Sequence, residues 1–260
     1  MFPIRDSVQK AGCPAVVWSI IALNVAGFLY ELTLGQPELS AFLLHYALVP
    51  QRYFNPGWAD SVGLSSWDVT PFLTSMFLHG GFLHIISNLW VLYIFGPALE
   101  DRLGHGRFAA LYLLAGLCAG VVHAVFNATS NVPTLGASGA IAGIIAAYAV
   151  RFPYAWVRVL VPIIIIPLFF DIPAMLFAAL WFLTQIMQGT SMLLAPSAGG
   201  GIAWWAHIGG FVAGWMLLTR LEPATSPASP PSELRRGRTD DFFWPWRMWW
   251  RWSTWWWPRR

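Results

Sequence analysis

Ser138, in Gly136-Ala137-Ser138-Gly139-Ala140, and His207, in Ala206-His207-Ile208-Gly209-Gly210, both lie in long apolar stretches of this chain. A hydroxyl and an imidazole are costly to place in hydrocarbon unless each finds a partner. A serine between glycines and a histidine from another segment can satisfy one another as nucleophile and general base. His84 and Asn88 stand at i and i+4, so a helix would present both on one face. Both can donate hydrogen bonds, which an oxyanion needs when a scissile carbonyl becomes tetrahedral, and the Ser138 amide can add a third donor. The four residues together suit an enzyme that works on a carbonyl inside a membrane.

The elements that must hold them follow from composition. The chain has 260 residues, 57% of them hydrophobic and 10% charged, against roughly 25% charged in soluble domains. That composition predicts an all-α polytopic membrane protein. Apolar stretches run at about 11–30, 81–99, 108–127, 134–150, 172–194 and 202–219. Each is close to the roughly 20 residues a helix needs to cross a bilayer. The shorter 159–170 run holds Pro162 and Pro167 and ends at Asp171, so it is expected to be re-entrant or interfacial. The first stretch lacks an evident cleavage site and is expected to remain as an anchor.

Lysine and arginine collect in cytoplasmic loops. With six spans and a cytoplasmic N-terminus, fourteen of the fifteen basic residues fall inside and only Arg52 falls outside. The expected organisation is a cytoplasmic N-terminus at 1–10 and a six-helix membrane domain at 11–219 with an outer loop at 32–78. A flexible linker at 220–241 and a cytoplasmic tail at 242–260 follow. The tail carries eight of seventeen tryptophans together with four arginines, a composition suited to the lipid headgroup layer. Nucleic acid is not expected as a partner. Cys13 and Cys118 lie in or beside spans, which argues against a disulfide framework.

In this topology every even-numbered span starts at the outer face. Ser138 is then five residues into its stretch, His207 six, His84 four and Asn88 eight. At a rise of about 1.5 Å per residue, all four lie within roughly the outer 12 Å of the membrane. Gly139 and Gly143 are spaced four apart, as are Gly210 and Gly214. Such small-residue faces let membrane helices approach closely, and close packing of spans 4 and 6 would bring Ser138 Oγ to His207. Each residue alone has a plainer reading: Gly-x-Ser-Gly as a packing motif, His123 as a satisfied polar contact, Asn88 as interhelical glue. The coincidence of depth across four residues favours the catalytic reading. None of the six stretches holds an Asp or Glu, which points to a Ser–His dyad.

These residues resemble the rhomboid family of intramembrane serine proteases. The resemblance covers about 40–219. It rests on His79-Gly80-Gly81-Phe82-Leu83-His84-Ile85-Ile86-Ser87-Asn88, the charged turn Glu100-Asp101-Arg102-Leu103-Gly104 expected between spans 2 and 3, Gly136-Ala137-Ser138-Gly139, and Ala206-His207-Ile208-Gly209-Gly210 with Gly214. It implies a six-transmembrane-helix rhomboid core, Ser138 as nucleophile, His207 as base, and His84 and Asn88 in the oxyanion hole. It also implies single-pass transmembrane protein substrates, a membrane lipid surround, and no metal or other cofactor. Two positions depart from the pattern of some members. Thr70-Pro71 stands where a Trp-Arg pair occurs in the first outer loop, which bears on substrate entry. Ala142 stands where an aromatic ring packs on the histidine, so another group, with Trp204 and Trp205 as candidates, must orient His207.

The alternative is a catalytically inactive rhomboid-like adaptor or chaperone for membrane clients. Inactive relatives typically lack the serine or the histidine, and both are present here. A transporter would show repeated halves and charges within spans, which the sequence does not. The N-terminus has only Arg5 and Lys10 as basic residues, with Asp6 beside Arg5. This favours a bacterial plasma (inner) membrane over an organelle.

Overall fold

The computed structural model describes residues 1–163, 166–194 and 203–222. Its long helices coincide with the six apolar stretches. They are α1 (Ala15–Glu31), α6 (Phe82–Leu103), α7 (His105–Phe126), α8 (Ser138–Arg151), α9 (Ala174–Leu194) and α10 (Trp204–Leu221). Among the described residues, α6 and α7 are long and apolar enough to cross a membrane, while α1 and α8 are apolar but shorter. The expected linker starts inside α10, which runs to Leu221. Its remainder and the Trp/Arg-rich tail lie outside the described residues.

The all-α expectation is corrected at one end of the helices. Strand β1 (Phe2–Asp6) pairs with β2 (Trp156–Ile163), and β2 pairs with β3 (Ile166–Pro173), in an antiparallel sheet of order β1-β2-β3. The described residues of the 159–170 run therefore pair as antiparallel strands, and the N-terminal segment adds a third strand. The reason is legible in β2, where Val157 and Val159 are buried and their neighbours less so. That period of two belongs to a half-buried strand. Pro162 and Pro167 face each other near the end of the ladder, and Arg158 lies opposite Asp171 and grips it with two hydrogen bonds of 2.8 Å.

A second correction concerns the acids. Helix α1 extends to Glu31 and α6 to Leu103, so the sequence Glu100-Asp101-Arg102-Leu103 is helix rather than turn. Gly104, at φ +80°, reverses the chain alone. Carboxylates are disfavoured at a helix C-terminus and favoured at an N-terminus. Here the C-terminal turn of α6 meets the N-terminus of α1, which has no side-chain cap of its own. Glu100 accepts from the amides of Val16 and Val17, both at 2.8 Å, and Asp101 accepts from Gly12 at 2.8 Å. A carboxylate from one helix thus caps the orphan amides of another.

The expected outer loop is mostly ordered into short helices. It holds α2 (Gln36–Tyr46), α3 (Gln51–Phe54), α4 (Pro56–Ser61), α5 (Pro71–Thr74) and a 3-10 turn at Ser75–Phe77. Arg52 is its staple. The buried guanidinium donates to Ser65 O at 2.8 Å, His45 O at 3.2 Å and Asp68 Oδ2 at 2.7 Å. Several acceptors are what make a buried cation tolerable. The Thr70 hydroxyl, with Arg52 beyond it, holds the Asp68 carboxyl below the usual carboxylate range. A two-way bond between Leu48 and Thr134, at 2.9 and 2.8 Å, ties this segment to the chain entering α8.

Helix α8 is the centre of the molecule. Twelve of its fourteen residues are buried, so it is apolar around its whole circumference, as a helix enclosed by others must be. A Cβ on Gly139 would lie 2.6 Å from Ala119 Cβ of α7, and one on Gly143 would lie 2.5 Å from Ala115 Cβ. On the other side the backbones of α8 and α10 touch. A Cβ on Gly210 would collide with Gly139 O, and one on Gly214 with Gly143 O. Small residues replace the interdigitating side chains that would otherwise hold the helices apart.

Candidate active site

The α8–α10 crossing decides where the reactive pair sits. Ser138 is the residue before Gly139, and His207 lies three before Gly210, so the backbone contact carries both to the same end of the crossing. His207 Nε2 is 2.8 Å from Ser138 Oγ. That is the hydrogen-bond distance a general base needs from its nucleophile. Ser138 opens α8, and Ala137 before it offers no side-chain cap. The first-turn amides therefore have no partner within their helix and can meet developing negative charge.

The approach to Ser138 depends on Gly136. Its φ of +127° is open to glycine and strained for other residues, and its amide donates to Ser75 O at 2.8 Å. A Cβ at Gly136 would stand 2.7 Å from both Cε1 and Nε2 of His84 and 3.6 Å from Asn88 Nδ2. The glycine thus lets the loop before Ser138 close onto α6, where His84 and Asn88 share the expected face.

Their hydrogen bonds show what they have left to offer. The Gly80 amide donates to His84 Nδ1 at 3.4 Å, which leaves Nε2 as the protonated nitrogen turned toward Gly136. Asn88 is buried, and its Nδ2 has no partner. A buried donor without an acceptor is rare enough to require a reason. Behind His84, the His79 ring packs edge-on at 5.0 Å, and burial pushes the His79 imidazole down to about 3. The His79 amide is held by Glu31 at 3.1 Å. A carboxylate at the end of α1 thereby anchors the turn that leads into α6.

All four expected site residues converge on the Gly136–Ser138 turn. A pocket opens beside Ser138, lined by Met76, Gly116, His123, Gly136 and Ala206 among others. His123 matches its plainer reading as a satisfied polar contact, with Nε2 2.9 Å from Thr134 Oγ1 and Nδ1 3.3 Å from Asn127 Nδ2.

Of the two candidate tryptophans, Trp204 lies against His207 and Trp205 does not. Trp205 stacks on Phe126 at 4.0 Å, away from the histidine. Trp204 meets the His207 ring edge-on at 6.0 Å, and Trp181 of α9 lies 5.7 Å from it. The group in direct contact is Gln185 of α9, whose Oε1 is 2.8 Å from His207 Nδ1. A search for carboxylates passes over it. The signal available in the sequence was a glutamine within an apolar stretch, a group as much in need of a partner as the histidine.

A sequence model described as the Rhomboid domain matches residues 66–222, which includes all four residues and Gln185. Presenilin-associated rhomboid-like protein, mitochondrial, of Rattus norvegicus is 35% identical over 112 residues, 42% of this chain and 28% of its own length. The Homo sapiens protein of the same name is 36% identical over 104 residues, 39% of this chain and 26% of its own. RHOMBOID-like protein 1 of Arabidopsis thaliana is 27% identical over 227 residues, 80% of this chain and 53% of its own. The chain thus spans between about a quarter and about half the length of these curated relatives. The mitochondrial names lend no support to the bacterial plasma membrane expected from the N-terminal residues. The domain match covers more than half of the sequence and every motif named above, and the chain belongs to the rhomboid family, whose members are membrane-embedded.

Proposed function

We propose that the protein is an intramembrane serine endopeptidase, with a core of six membrane-spanning helices and both termini on the cytoplasmic side. The observation that carries this reading is the 2.8 Å contact between His207 Nε2 and Ser138 Oγ, set beside an unpartnered buried donor on Asn88. The substrates would be single-pass transmembrane proteins whose backbone can unwind to enter the site near the outer face. No metal or other cofactor is needed for the steps below.

Ser138 Oγ attacks the scissile carbonyl carbon while its proton passes to His207 Nε2. The carbonyl oxygen, now an oxyanion, is met by the Asn88 amide, His84 Nε2–H and the Ser138 backbone N–H. The C–N bond breaks as the imidazolium returns the proton to the leaving amine. A water then attacks the acyl-serine, gives its proton to His207, and the serine is released. Each donor is held by the fold before substrate arrives, so little reorganisation accompanies the charge change. The turns at Gly80–Gly81 and Gly136 supply that preorganisation.

The test is proteolysis of a generic membrane-spanning substrate by purified protein, alongside Ser138→Ala and His207→Ala. Both variants are expected to lose cleavage entirely while keeping their helical content in detergent. A fluorophosphonate probe should label the wild type at Ser138 and neither variant. An adaptor for membrane clients would bind the substrate and leave it intact. Labelling that survives Ser138→Ala would remove the assignment.

A further inference from the structure

Gln185 is buried, with 5% of its surface exposed, and every polar atom of its side chain is used. Its Nε2 donates to Trp181 O at 3.0 Å, one turn back in α9, and lies 2.8 Å from Thr184 Oγ1. These bonds determine which end of the amide is nitrogen, because a carbonyl oxygen such as Trp181 O can only accept. Oε1 is therefore the atom that faces His207 Nδ1 at 2.8 Å. An oxygen with no hydrogen can only accept, so His207 carries its proton on Nδ1. The other nitrogen, Nε2, then has a free lone pair, and it is the one 2.8 Å from Ser138 Oγ. In a neutral imidazole one nitrogen donates and the other accepts. The bond made by one determines the role of the other.

We infer that Gln185 is a positioning residue, and that Ser138, His207 and Gln185 form a hydrogen-bonded triad across α8, α10 and α9 with a neutral amide in the place of an acid. This inference rests on the serine-protease reading and deepens it. Alone, the dyad leaves His207 two tautomers and free rotation about χ2. Only one of those arrangements aims a lone pair at Ser138. The amide selects it, and it adds no charge to a span that must remain in hydrocarbon. A glutamate there would stabilise the imidazolium more strongly, but an ionised carboxylate is costly at that depth. The aromatic rings of Trp181 and Trp204 limit the tilt of the imidazole without choosing its tautomer.

Three variants of the full-length protein test the triad: Gln185→Leu, which removes the acceptor, Gln185→Glu, which keeps it, and Ser138→Ala as the inactive reference. Gln185→Leu is expected to lower kcat by about 10- to 100-fold, part of the 10²–10⁴ that a positioned base contributes. KM should stay within about twofold, since in the proposed reading Gln185 does not touch substrate. Fluorophosphonate labelling of Ser138 should slow in parallel. Gln185→Glu should recover most of kcat, which a purely structural role for the amide would not produce. NMR of protein carrying isotope-labelled histidine reads the His207 tautomer without turnover. The wild type should show the proton on Nδ1, and Gln185→Leu a mixture.

A wild-type kcat in Gln185→Leu, or a loss that Gln185→Glu fails to restore, would overturn the triad and leave the dyad standing. A His207 tautomer with its proton on Nε2 would overturn it as well. Absence of cleavage and labelling in the wild type would remove the protease reading by itself, with the tautomer measurement still deciding whether Gln185 orients the ring.

Discussion

The two ends of the helix assembly differ in how completely their buried polar groups are partnered. At the end that carries the sheet, the carboxylates are well partnered. Glu100 accepts from two amides of α1 and lies 2.6 Å from His105 Nδ1. Asp6 takes Lys10 and the Tyr148 hydroxyl, and Arg151 meets Glu222. At the other end, Asn88 Nδ2 and both ring nitrogens of His79 are buried without partners. A buried polar group that is satisfied rigidifies a fold. One left unsatisfied lowers stability by about 1–3 kcal/mol and persists only when something else requires it. In the proposed reading, the contrast separates groups that hold the protein together from a donor, on Asn88, kept free for substrate.

The strongest way to break this contrast is to remove the waiting donors. Loss of one oxyanion donor typically costs about 10²–10³ in rate. His84→Ala and Asn88→Ala are each expected to reduce kcat on that scale while thermal stability stays level or rises for Asn88→Ala. If kcat is unchanged and stability drops, the donors are structural and the two ends are alike.

The glycine crossing gives the next effect. A methyl at Gly210 meets Gly139 O, and overpacking of this kind costs about 1–3 kcal/mol. Gly210→Ala should lower the melting temperature and separate Ser138 from His207, with labelling of Ser138 falling faster than helix content. Gly106→Ala is the control, since a Cβ there meets nothing within 4 Å. Equal behaviour of the two variants would show that close approach of α8 and α10 is not what assembles the pair.

At the end that carries the sheet, Glu100→Gln keeps one acceptor oxygen and loses the charge at the N-terminus of α1. A stability loss of about 1–2 kcal/mol is expected, with kcat per folded molecule unchanged. A fall in kcat without a fall in stability would contradict the division between the two ends.

The smallest effect is one of pH. The Asp68 carboxyl is held below its ordinary value, first by the Thr70 hydroxyl. Its contribution to stability is therefore present above the ordinary aspartate pKa and is lost as pH falls through the folded value. Melting temperature measured between about pH 5 and pH 3 should decline, and Asp68→Asn should decline less over the same range. Identical slopes would mean that the Arg52 staple draws nothing from this carboxylate.

How much of this was legible from residues alone differs by element. Apolar stretches located the long helices because crossing or filling a hydrocarbon core demands them, wherever the neighbours stand. Ser138, His207, His84 and Asn88 could be picked out because polar groups in such stretches are costly and their depths matched. The sheet could not be found that way. Its first strand pairs residues 2–6 with 157–160, a contact across more than half of the chain, and no local pattern at either site names the other as its partner. The carboxylates of Glu100 and Asp101 read as a charged turn until α1 brought its bare amides to them. Gln185 is the clearest case. Its place in the sequence says only that a polar group sits in an apolar helix. Whether it faces lipid, a neighbouring helix or His207 depends on how α9 is rotated about its axis. That rotation is decided by packing against α8 and α10, which the local sequence of α9 does not contain.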